Sequence, residues 1–444
     1  MIAVPAAPLP PAEAARRAAA ASGAFWLSSP AADEAGIARD FVGAQPIDVL
    51  VGAEAGDLAE LERAWTAARH GWGGGGREAT PSGVPIAVGW LSYELGRRLV
   101  GLPPRLCPEP LFQFHFHDAV WVREAGGAAR IFARDEAAAA RLAALLAREA
   151  RSEPPRLGAL LPVDGDASFL AGVRRILDYL HAGDTYQVNL SRRLRATATP
   201  GDPAALAAAL RSRAPAPHAA FIADPGGDPT GALTILGNSP ERFLALAADG
   251  TVETRPIKGT RPRGGDRAAD AAAAGALLAA SKDRAEHVMI VDLERNDLGR
   301  VCRAGSVEVA SLARLVSLPT VHHLVSTVRG RLRDVGLAAL LGATFPGGSV
   351  TGAPKRRAMQ IIDELEPSPR GPYTGATGWL GAAGDLDLAI AIRTAVLRAG
   401  ALEVSVGGGI VVDSTPEGEL AETEVKARAF AELCGATPAP PSPR

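Results

Sequence analysis

Strand-like segments joined by short turns are the feature of this sequence that most constrains its fold. In the C-terminal half, the turn sequences ADG and RAGA connect two pairs of apolar, β-branched runs, which is typical of β-hairpins. Helical segments alternate with these runs irregularly rather than as regular βαβ units. The pattern predicts a largely antiparallel α/β (α+β) fold rather than a doubly wound nucleotide-binding fold. The segments are ALTILG (232–237), RFLALA (242–247), TVETRPIKG (251–259), AIAIRTAVL (389–397) and LEVSVGGGIVV (402–412).

Chain length and local composition predict the domain organisation. A chain of 444 residues exceeds the size at which one hydrophobic core stops growing, so we expect two domains or one large intertwined fold. Pro, Gly and charged residues mix over 150–167, between two helical segments. This texture predicts a boundary there, between an N-terminal region, 1–160, and a C-terminal region, 165–435.

Three further segments are predicted to be loosely ordered. Residues 1–20 and the tail, 436–444, are rich in Ala and Pro, and we expect both to be frayed. The run GWGGGG, 71–76, is typical of a flexible surface loop. None of these segments is expected to carry chemistry.

Charge and cysteine content exclude several classes of protein. The formal net charge is −2, and no basic tract interleaved with aromatic residues follows a pattern typical of nucleic-acid binding. No run of about 18 apolar residues predicts a membrane span, and the N-terminus lacks an export signal. Cys107, Cys302 and Cys434 are too few and too separated for a disulfide framework. We therefore expect a cytoplasmic protein without nucleic-acid or membrane partners.

The rarity of lysine points to chemistry in the C-terminal half. The 47 basic residues include only four lysines, Lys258, Lys282, Lys355 and Lys426. Arginine serves equally well as a surface charge, but only lysine can lose its proton and react as an amine. Lys258, in TRPIKGTRPRG, is flanked by arginines, so an amine is the specific requirement at that position. The alternative interpretation is compositional drift.

Two predicted helices each carry a pair of acids three residues apart. Asp283 and Glu286 share one helix face within 281–301, and Glu419 and Glu422 share another within 414–430. Ligand sets made of carboxylate oxygens suit a hard cation such as Mg²⁺. Acids with this spacing are more often solvated helix faces, and the spacing alone leaves both interpretations open.

Two glycine-rich runs are candidate ligand sites. In PGGSVTGAPKRR, 346–357, Ala353 and Pro354 separate the last glycine from Lys355, so the run fails as a nucleotide phosphate loop. A helix beginning after Pro354 would still present amides to an anion. In VGGGIVVD, 406–413, the glycines would let a ligand approach the backbone, unless either run is merely a structural turn.

These motifs together resemble the chorismate-utilising enzymes, a family that includes anthranilate, aminodeoxychorismate, isochorismate and salicylate synthases. The resemblance covers about 165–430, and the first 150 residues match more loosely through GAFWLSSP and GWLSYELGRRL. It implies an anthranilate synthase component I-like fold, with two large, mainly antiparallel sheets packed face to face and helices outside. The motifs are GDTYQVNLSRR, GNSPERF, TRPIKGTRPRG, DRAEHVMIVDLERND, VHHLVSTVRG, FPGGSVTGAPKRRAMQIIDELEP, GPYTGATG, AIRTAV and VGGGIVVDSTPEGELAETEVKA.

The resemblance also implies which branch of the family this chain follows. The branch that forms 4-amino-4-deoxychorismate, the precursor of 4-aminobenzoate and folate, has lysine in PIKGT, where the anthranilate-forming branch has alanine. Lys258 would attack chorismate at C2, Glu241 would act as general acid, and ammonia would enter at C4. Gln187 stands where water-using branches have lysine, and Asn189 also resembles the aminodeoxychorismate branch. Anthranilate formation is the alternative, and a non-catalytic tryptophan-binding relative is the third hypothesis.

By the same resemblance, the site would hold Mg²⁺ and both carboxylates of chorismate. Asp283 departs from the glutamate usual at its position, so its part in the metal shell is the least secure. The implied metal ligands are Asp283, Glu286, Glu419 and Glu422. The implied substrate-binding residues are Gly259, Thr260 and Lys426 for the ring carboxylate, Arg393, Tyr373, Gly407 and Gly409 for the enolpyruvyl carboxylate, together with Gln187 and with His323, which matches the family's site histidine. Whether Trp26, Ser28 and Ser29 bind tryptophan, as the corresponding region does in some relatives, stays open.

The source of ammonia is predicted from the cysteines. A glutamine-hydrolysing site needs a cysteine nucleophile on a sharp glycine-flanked turn. RLCPEP, GRVCRAG and AELCGAT lack such a turn. We therefore expect ammonia to come from a separate glutamine amidotransferase subunit in a heterodimer.

Overall fold

The computed structural model describes residues 1–29, 38–73, 81–150, 153–226 and 232–435. The strands are β1 (Ile2–Pro5), β2 (Phe25–Ser29), β3 (Arg39–Gly43), β4 (Asp48–Gly52), β5 (Pro85–Leu91), β6 (Phe112–Phe116), β7 (Ala119–Glu124), β8 (Ala129–Ala133), β9 (Leu161–Pro162), β10 (Gln187–Thr197), β11 (His218–Ala223), β12 (Thr234–Ser239), β13 (Arg242–Leu246), β14 (Thr251–Arg255), β15 (Ile257–Pro262), β16 (Glu308–Ser317), β17 (Val321–Arg331), β18 (Gly352–Ala353), β19 (Ala376–Gly381), β20 (Leu386–Ile390), β21 (Thr394–Arg398) and β22 (Ala401–Ile410). The helices are α1 (Pro11–Ala18), α2 (Leu58–Trp72), α3 (Tyr93–Leu99), α4 (Glu136–Leu146), α5 (Gly165–His181), α6 (Pro203–Arg213), α7 (Arg267–Ala279), α8 (Ser281–Gly299), α9 (Leu337–Thr344), α10 (Lys355–Leu365) and α11 (Pro416–Leu433).

Two antiparallel sheets form the body of the protein. In the described residues the larger sheet has 12 strands, ordered β1-β8-β7-β3-β2-β11-β12-β21-β22-β10-β18, with β9 also paired to β10. The smaller sheet has 10 strands, ordered β15-β17-β14-β13-β20-β19-β5-β6-β4, with β16 also paired to β17. The prediction of two large antiparallel sheets is confirmed.

The sheets pack face to face through an apolar layer. Phe25 and Ile222 of the larger sheet share a buried cluster with Val88 and Trp90 of the smaller one. Burying each such side chain contributes about 1.5–3 kcal/mol, so this layer fixes the two sheets against each other. Helices α1, α4, α6 and α11 cover the outer face of the larger sheet, and α2, α8 and α9 pack with the smaller one. No helix in the described part of the chain is long and apolar enough to cross a membrane.

The two sequence regions share both sheets. In the larger sheet β2 pairs with β11, and in the smaller sheet β5 pairs with β19, so strands from 1–160 lie beside strands from 165–435. The intertwined arrangement lets residues far apart in sequence meet between the sheets. The sequence division near 150–167 stays a prediction.

Two segments expected to be loose are ordered, which corrects the sequence interpretation. Strand β1 pairs with β8, and α1 buries Ala14, Ala15 and Ala18 completely. These small alanine side chains belong to a buried apolar cluster with strands of the larger sheet, and this packing orders the segment. Gly71 and Trp72 end helix α2, where Trp72 is 1% exposed and its Nε1 donates to the His117 carbonyl at 3.1 Å. Residues 74–76 and the tail, 436–444, lie outside the described residues.

The predicted strands form, but two of them are interrupted. The ADG and RAGA turns close the β13–β14 and β21–β22 hairpins, as expected. The predicted strand TVETRPIKG is interrupted at Pro256, which has no N–H to donate to the hydrogen bonds between strands. AIAIRTAVL divides at 391–393, where Arg393 has a φ of +51°. Both interruptions lie beside predicted site residues.

Candidate active site

The candidate site lies between the smaller sheet and the glycine-rich end of the larger one. Strand β10 pairs with β22, and Asn189 lies opposite Gly409. A Cβ atom at Gly409 would lie 3.3 Å from the Lys258 Nζ and 2.5 Å from the Gln187 Nε2. Glycine at this position therefore leaves room for an amine from one sheet and an amide from the other to approach the same point.

Lys258 is held on β15 next to a β-bulge. The register against β17 shifts between Lys258 and Thr260, and the intervening Gly259 has a φ of +78°. Burial lowers the pKa of Lys258, and the nearby Lys426 lowers it further, against the opposing charges of Glu286, Glu241 and Glu422. A lowered pKa increases the fraction of neutral amine.

The arginines that flank Lys258 in sequence are paired with other carboxylates. The Arg255 Nε lies 2.5 Å from the Glu253 Oε1, and the Arg261 Nη2 lies 3.2 Å from the Asp283 Oδ2. Because each guanidinium has its own carboxylate, burial and Lys426 are the causes that lower the pKa of Lys258.

Glu241 is the second ionisable group at this point. It lies between β12 and β13, is 5% exposed, and its Oε1 accepts from the Ile257 amide at 3.4 Å. Burial raises the pKa of Glu241, while the positive charges of Lys258 and Lys426 oppose that shift. Both pKa shifts are towards the neutral forms of the acid and the amine, the forms that acid-assisted departure and nucleophilic attack use.

The adjacent histidines on β17 have different surroundings. His323 Nδ1 and the Thr260 hydroxyl are 2.8 Å apart, and burial together with Arg393 lowers the pKa of His323 to about 4. His322 instead contacts the Ser317 hydroxyl at 2.8 Å and Asp270 at 2.9 Å. A neutral His323 can share a hydrogen bond at neutral pH without adding charge to the cleft.

Arg393 and Tyr373 provide a cationic position beside His323. Arg393 occupies the left-handed backbone region, at a φ of +51°, and its guanidinium makes no hydrogen bond or ion pair with the described residues. Non-glycine residues adopt this conformation at a cost of order 1–3 kcal/mol, which marks functional positions. Burial raises the pKa of Tyr373, so its phenol stays protonated. A carboxylate would find a charged donor here.

A buried arginine, missed by the sequence analysis, links three segments of the site. Arg370 forms an ion pair with Glu366, with closest atoms 2.7 Å apart, and its guanidinium donates to the carbonyls of Asn189 at 2.7 Å and Val350 at 3.0 Å. It also donates to the Thr374 hydroxyl at 3.2 Å. Only the short RG preceding PYTG marks the position in sequence, and an isolated arginine looks like any surface charge.

The carboxylate pairs lie at the mouth of the cleft, on α8 and α11. The Ser414 hydroxyl donates to the Glu419 Oε1 at 2.6 Å, and the Lys426 Nζ lies 2.8 Å from the Glu422 Oε1. A Cβ at Gly408 would lie 2.8 Å from the Glu419 Oε2 and 3.7 Å from the Glu422 Oε1. The two oxygens therefore converge above a glycine.

The donor chemistry at this mouth fits a hard cation. One of these carboxylates, Glu422, already holds the Lys426 ammonium as a stand-in cation. Within the described residues, no group of three or more His, Cys, Asp or Glu side chains is arranged to hold a metal ion. Asp283, paired with Arg261, lies against Gly259. The four-carboxylate magnesium shell stays a prediction.

The glycine run before α10 has a structural partner for its lysine. The Lys355 Nζ lies 2.6 Å from the Asp297 Oδ2 and donates to the Thr344 carbonyl at 3.2 Å. A phosphate-loop lysine would instead point at a ligand phosphate. An anion at the α10 N-terminus stays a prediction.

The N-terminal region borders a separate cavity between the sheets. Ser28 is one of the residues lining this cavity of about 280 Å³, and the Ser28 hydroxyl has no hydrogen-bond partner. Trp26 is fixed, because its Nε1 donates to Asp40 at 3.0 Å and Arg211 lies 4.7 Å from its ring centroid. Tryptophan binding near Trp26, Ser28 and Ser29 stays a hypothesis.

Comparison with known proteins identifies the family of this chain. The profile of the chorismate binding enzymes matches residues 22–432. The chain belongs to the chorismate binding enzyme family. It is 51% identical to aminodeoxychorismate synthase of Streptomyces pristinaespiralis over 249 residues, which are 55% of this chain but only 33% of that protein. It is 41% identical to anthranilate synthase component 1 1 of Haloarcula marismortui over 78% of this chain and 74% of that one.

A solved structure confirms the predicted fold. Anthranilate synthase component I from Streptococcus pneumoniae superimposes with a TM-score of 0.71 at 29% identity, covering 92% of each chain. The resemblance inferred from motifs is therefore confirmed for family and fold. Both kinds of aminating synthase are close relatives, so the comparisons leave the position of amination to the site chemistry.

Proposed function

We propose that this protein aminates chorismate at C4 to give 4-amino-4-deoxychorismate. The observation that carries the proposal is the convergence of Lys258 and Gln187 on Gly409, with the buried Glu241 nearby. An amine with a lowered pKa is a nucleophile, whereas the alanine of the anthranilate branch would leave this position inert. The product class assigns the chain to 4-aminobenzoate and folate biosynthesis.

The reaction balances as two substitutions. The neutral Lys258 Nζ forms a bond to C2 of chorismate, the ring double bonds shift, and the C4–O bond breaks. Glu241 gives its proton to the departing hydroxyl, which leaves as water. Ammonia then bonds to C4, the double bonds shift back, and the C2–N bond breaks to release neutral Lys258. The new ammonium group returns a proton to Glu241, so both groups end in their starting protonation states.

The remaining predicted residues would position the substrate. Arg393 would pair with the enolpyruvyl carboxylate, beside Tyr373 and close to the backbone of Gly407 and Gly409. His323 and Thr260 would border the ring as a neutral hydrogen-bonded pair.

The ring carboxylate would lie near Lys426 and the metal position. Glu286, Glu419 and Glu422, with Asp283 in a less secure part, would hold Mg²⁺, which when bound supplies positive charge to a substrate carboxylate. The ion pair between Glu422 and Lys426 supports this assignment because one of the proposed ligands already binds a cation.

The cysteine chemistry supports an external ammonia source. Burial raises the pKa of Cys302 and raises that of Cys434 to about 11. Burial also raises the pKa of Cys107, next to Glu109. A thiol kept protonated at neutral pH is a poor nucleophile for glutamine hydrolysis. We propose that a separate glutamine amidotransferase subunit delivers ammonia to this chain.

Anthranilate formation is the second candidate, and the Haloarcula relative favours it. Product identification separates the two. The purified chain is incubated with chorismate, Mg²⁺ and ammonium salt, and the products are resolved by chromatography with and without an added aminodeoxychorismate lyase. The proposal predicts a 4-amino product that the lyase converts to 4-aminobenzoate. Anthranilate formed without lyase would instead support the second candidate.

A further inference from the structure

The side chain of Lys426 occupies the mouth of the cleft as an internal cation. The Lys426 Nζ lies 2.8 Å from the Glu422 Oε1 and donates to the Gly407 carbonyl at 2.6 Å. A Cβ at Gly408 would lie 3.7 Å from this ammonium and 2.8 Å from the Glu419 Oε2. One glycine therefore accommodates two carboxylates and a cation in the same small space.

This arrangement opposes the entry of a second cation. A hard divalent ion would take these carboxylates as ligands, and the ammonium paired with Glu422 compensates the charge of that carboxylate. Two positive charges a few ångströms apart repel each other, and near a protein surface the repulsion is much stronger than in bulk water. Lys426 and a divalent cation would thus compete for Glu422.

We propose that Lys426 is a resident counter-ion that Mg²⁺ displaces from Glu422. This inference rests on the metal assignment within the proposed function. The helix carries both partners, four residues apart, so a change of side-chain rotamer separates them without moving the backbone. The displaced ammonium keeps its donor position near the Gly407 carbonyl, at the edge of the substrate cleft, where it meets the ring carboxylate. Metal binding thereby prepares the lysine for the substrate.

The test measures Mg²⁺ affinity directly, without turnover. Isothermal titration of the purified full chain with MgCl₂, in the absence of chorismate, compares the wild type with Lys426→Met. Removing the competing ammonium is expected to tighten Mg²⁺ binding about tenfold, because like charges this close repel strongly. Lys426→Arg keeps a cation next to Glu422 and is expected to remain within about threefold of the wild type.

A matched variant controls for the general loss of one positive charge. Arg428 lies on the same helix, two residues further along and therefore about 200° around its axis. Arg428→Met is expected to change Mg²⁺ affinity less than about twofold, because the half-buried Arg428 side chain leaves α11 on a different side from Lys426. Circular dichroism confirms that each variant is folded.

Several outcomes would overturn the inference. These are unchanged or weaker Mg²⁺ binding by Lys426→Met, equal tightening by Arg428→Met, and no Mg²⁺ binding by either the wild type or Lys426→Met. The proposed amination is judged separately, from the product formed with ammonium salt. A 4-amino product together with unchanged Mg²⁺ affinity in Lys426→Met would overturn the counter-ion role alone.

Discussion

Two clusters of buried polar groups in this protein are built in opposite ways. On the smaller sheet, Glu253 has three arginine partners, Arg242, Arg255 and Arg329, at 3.1, 2.5 and 2.6 Å. Arg242 also pairs with Asp387 at 3.0 Å. We call these five residues the arginine network. Each charge in it faces an opposite charge, as buried charges require.

The cleft contains polar groups without such partners. Both side-chain polar atoms of Gln187, and the Oδ1 of Asn189, are buried and make no hydrogen bond. Arg393 has no ion pair with the described residues. A buried unsatisfied polar group costs about 1–3 kcal/mol, so the cleft is less stable than a fully paired interior. The comparison indicates that the arginine network maintains the fold and that the cleft keeps its polar groups available for a ligand.

The largest expected effect is the loss of the nucleophile. Lys258→Ala is expected to reduce C4 amination about 10³-fold or more, because no other amine replaces the one removed. Lys258→Arg is expected not to restore it, since arginine keeps its proton. Steady-state rates with ammonium salt measure the loss, and thermal unfolding should show both variants folded. Near-normal amination by Lys258→Ala would contradict the role of the amine.

Removing the proposed acid is expected to have the next largest effect. Glu241→Gln keeps an acceptor for the Ile257 amide but has no proton to give, so kcat/KM should fall about 10²–10⁴-fold. The wild-type profile should fall at high pH as Glu241 loses its proton, and at low pH as Lys258 gains one. The high-pH fall due to Glu241 should be missing from the Glu241→Gln profile. A variant with the wild-type rate and profile would exclude Glu241 as the acid.

The buried carboxyl of Glu294, on α8, allows the comparison to be tested by measuring protein stability. It accepts from the Thr254 hydroxyl at 2.8 Å, and burial, with Glu241 next in importance, raises its pKa to about 8. Because the pKa of this carboxyl is higher in the folded than in the unfolded protein, the protein loses stability as pH rises from the unfolded-state pKa of about 4.5 towards 8. Glu294→Gln should therefore stabilise the protein by up to about 4 kcal/mol at pH 8 and by little at pH 5. Denaturant unfolding at both pH values checks this, and equal effects at both would contradict it.

The smallest expected effect lies in the arginine network. Glu253→Gln should destabilise the fold by about 2 kcal/mol. This figure is lower than for a fully buried ion pair because Arg329 is partly exposed to solvent. Burial raises the pKa of Glu253, but the arginines outweigh burial and lower it. The ionised carboxylate therefore stabilises the fold above its unfolded-state pKa, and this stabilisation is lost as pH falls through the folded-state pKa. Unfolding at pH 7 measures the loss. The ratio of 4-amino to 2-amino product should stay unchanged. An altered ratio would show that the arginine network affects the reaction as well as the fold.

The sequence predicted the parts of this protein that have a local signature. Hairpins such as β13–β14 follow from alternating apolar residues around a glycine turn, and Lys258 stands out because lysine is scarce. Arg370 was missed because its importance comes from the carbonyls of Asn189 and Val350, which lie on two segments that only the folded chain brings together. Trp72 was assigned to a loop because its glycine neighbours outweighed a single aromatic residue. The left-handed backbone of Arg393 was likewise missed, since no glycine or asparagine marks it.

Intact-protein mass spectrometry can detect the proposed covalent bond between Lys258 and chorismate. The full chain is mixed with chorismate and Mg²⁺ without ammonia, and the mixture is quenched in acid. The mass of the intact protein is then measured, and the modified residue is located by peptide mapping. We expect a mass increase equal to chorismate less one water, on the peptide that contains Lys258, and no such increase in Lys258→Ala. An adduct on another residue, or amination by a wild-type protein that never forms the adduct, would exclude Lys258 as the covalent nucleophile.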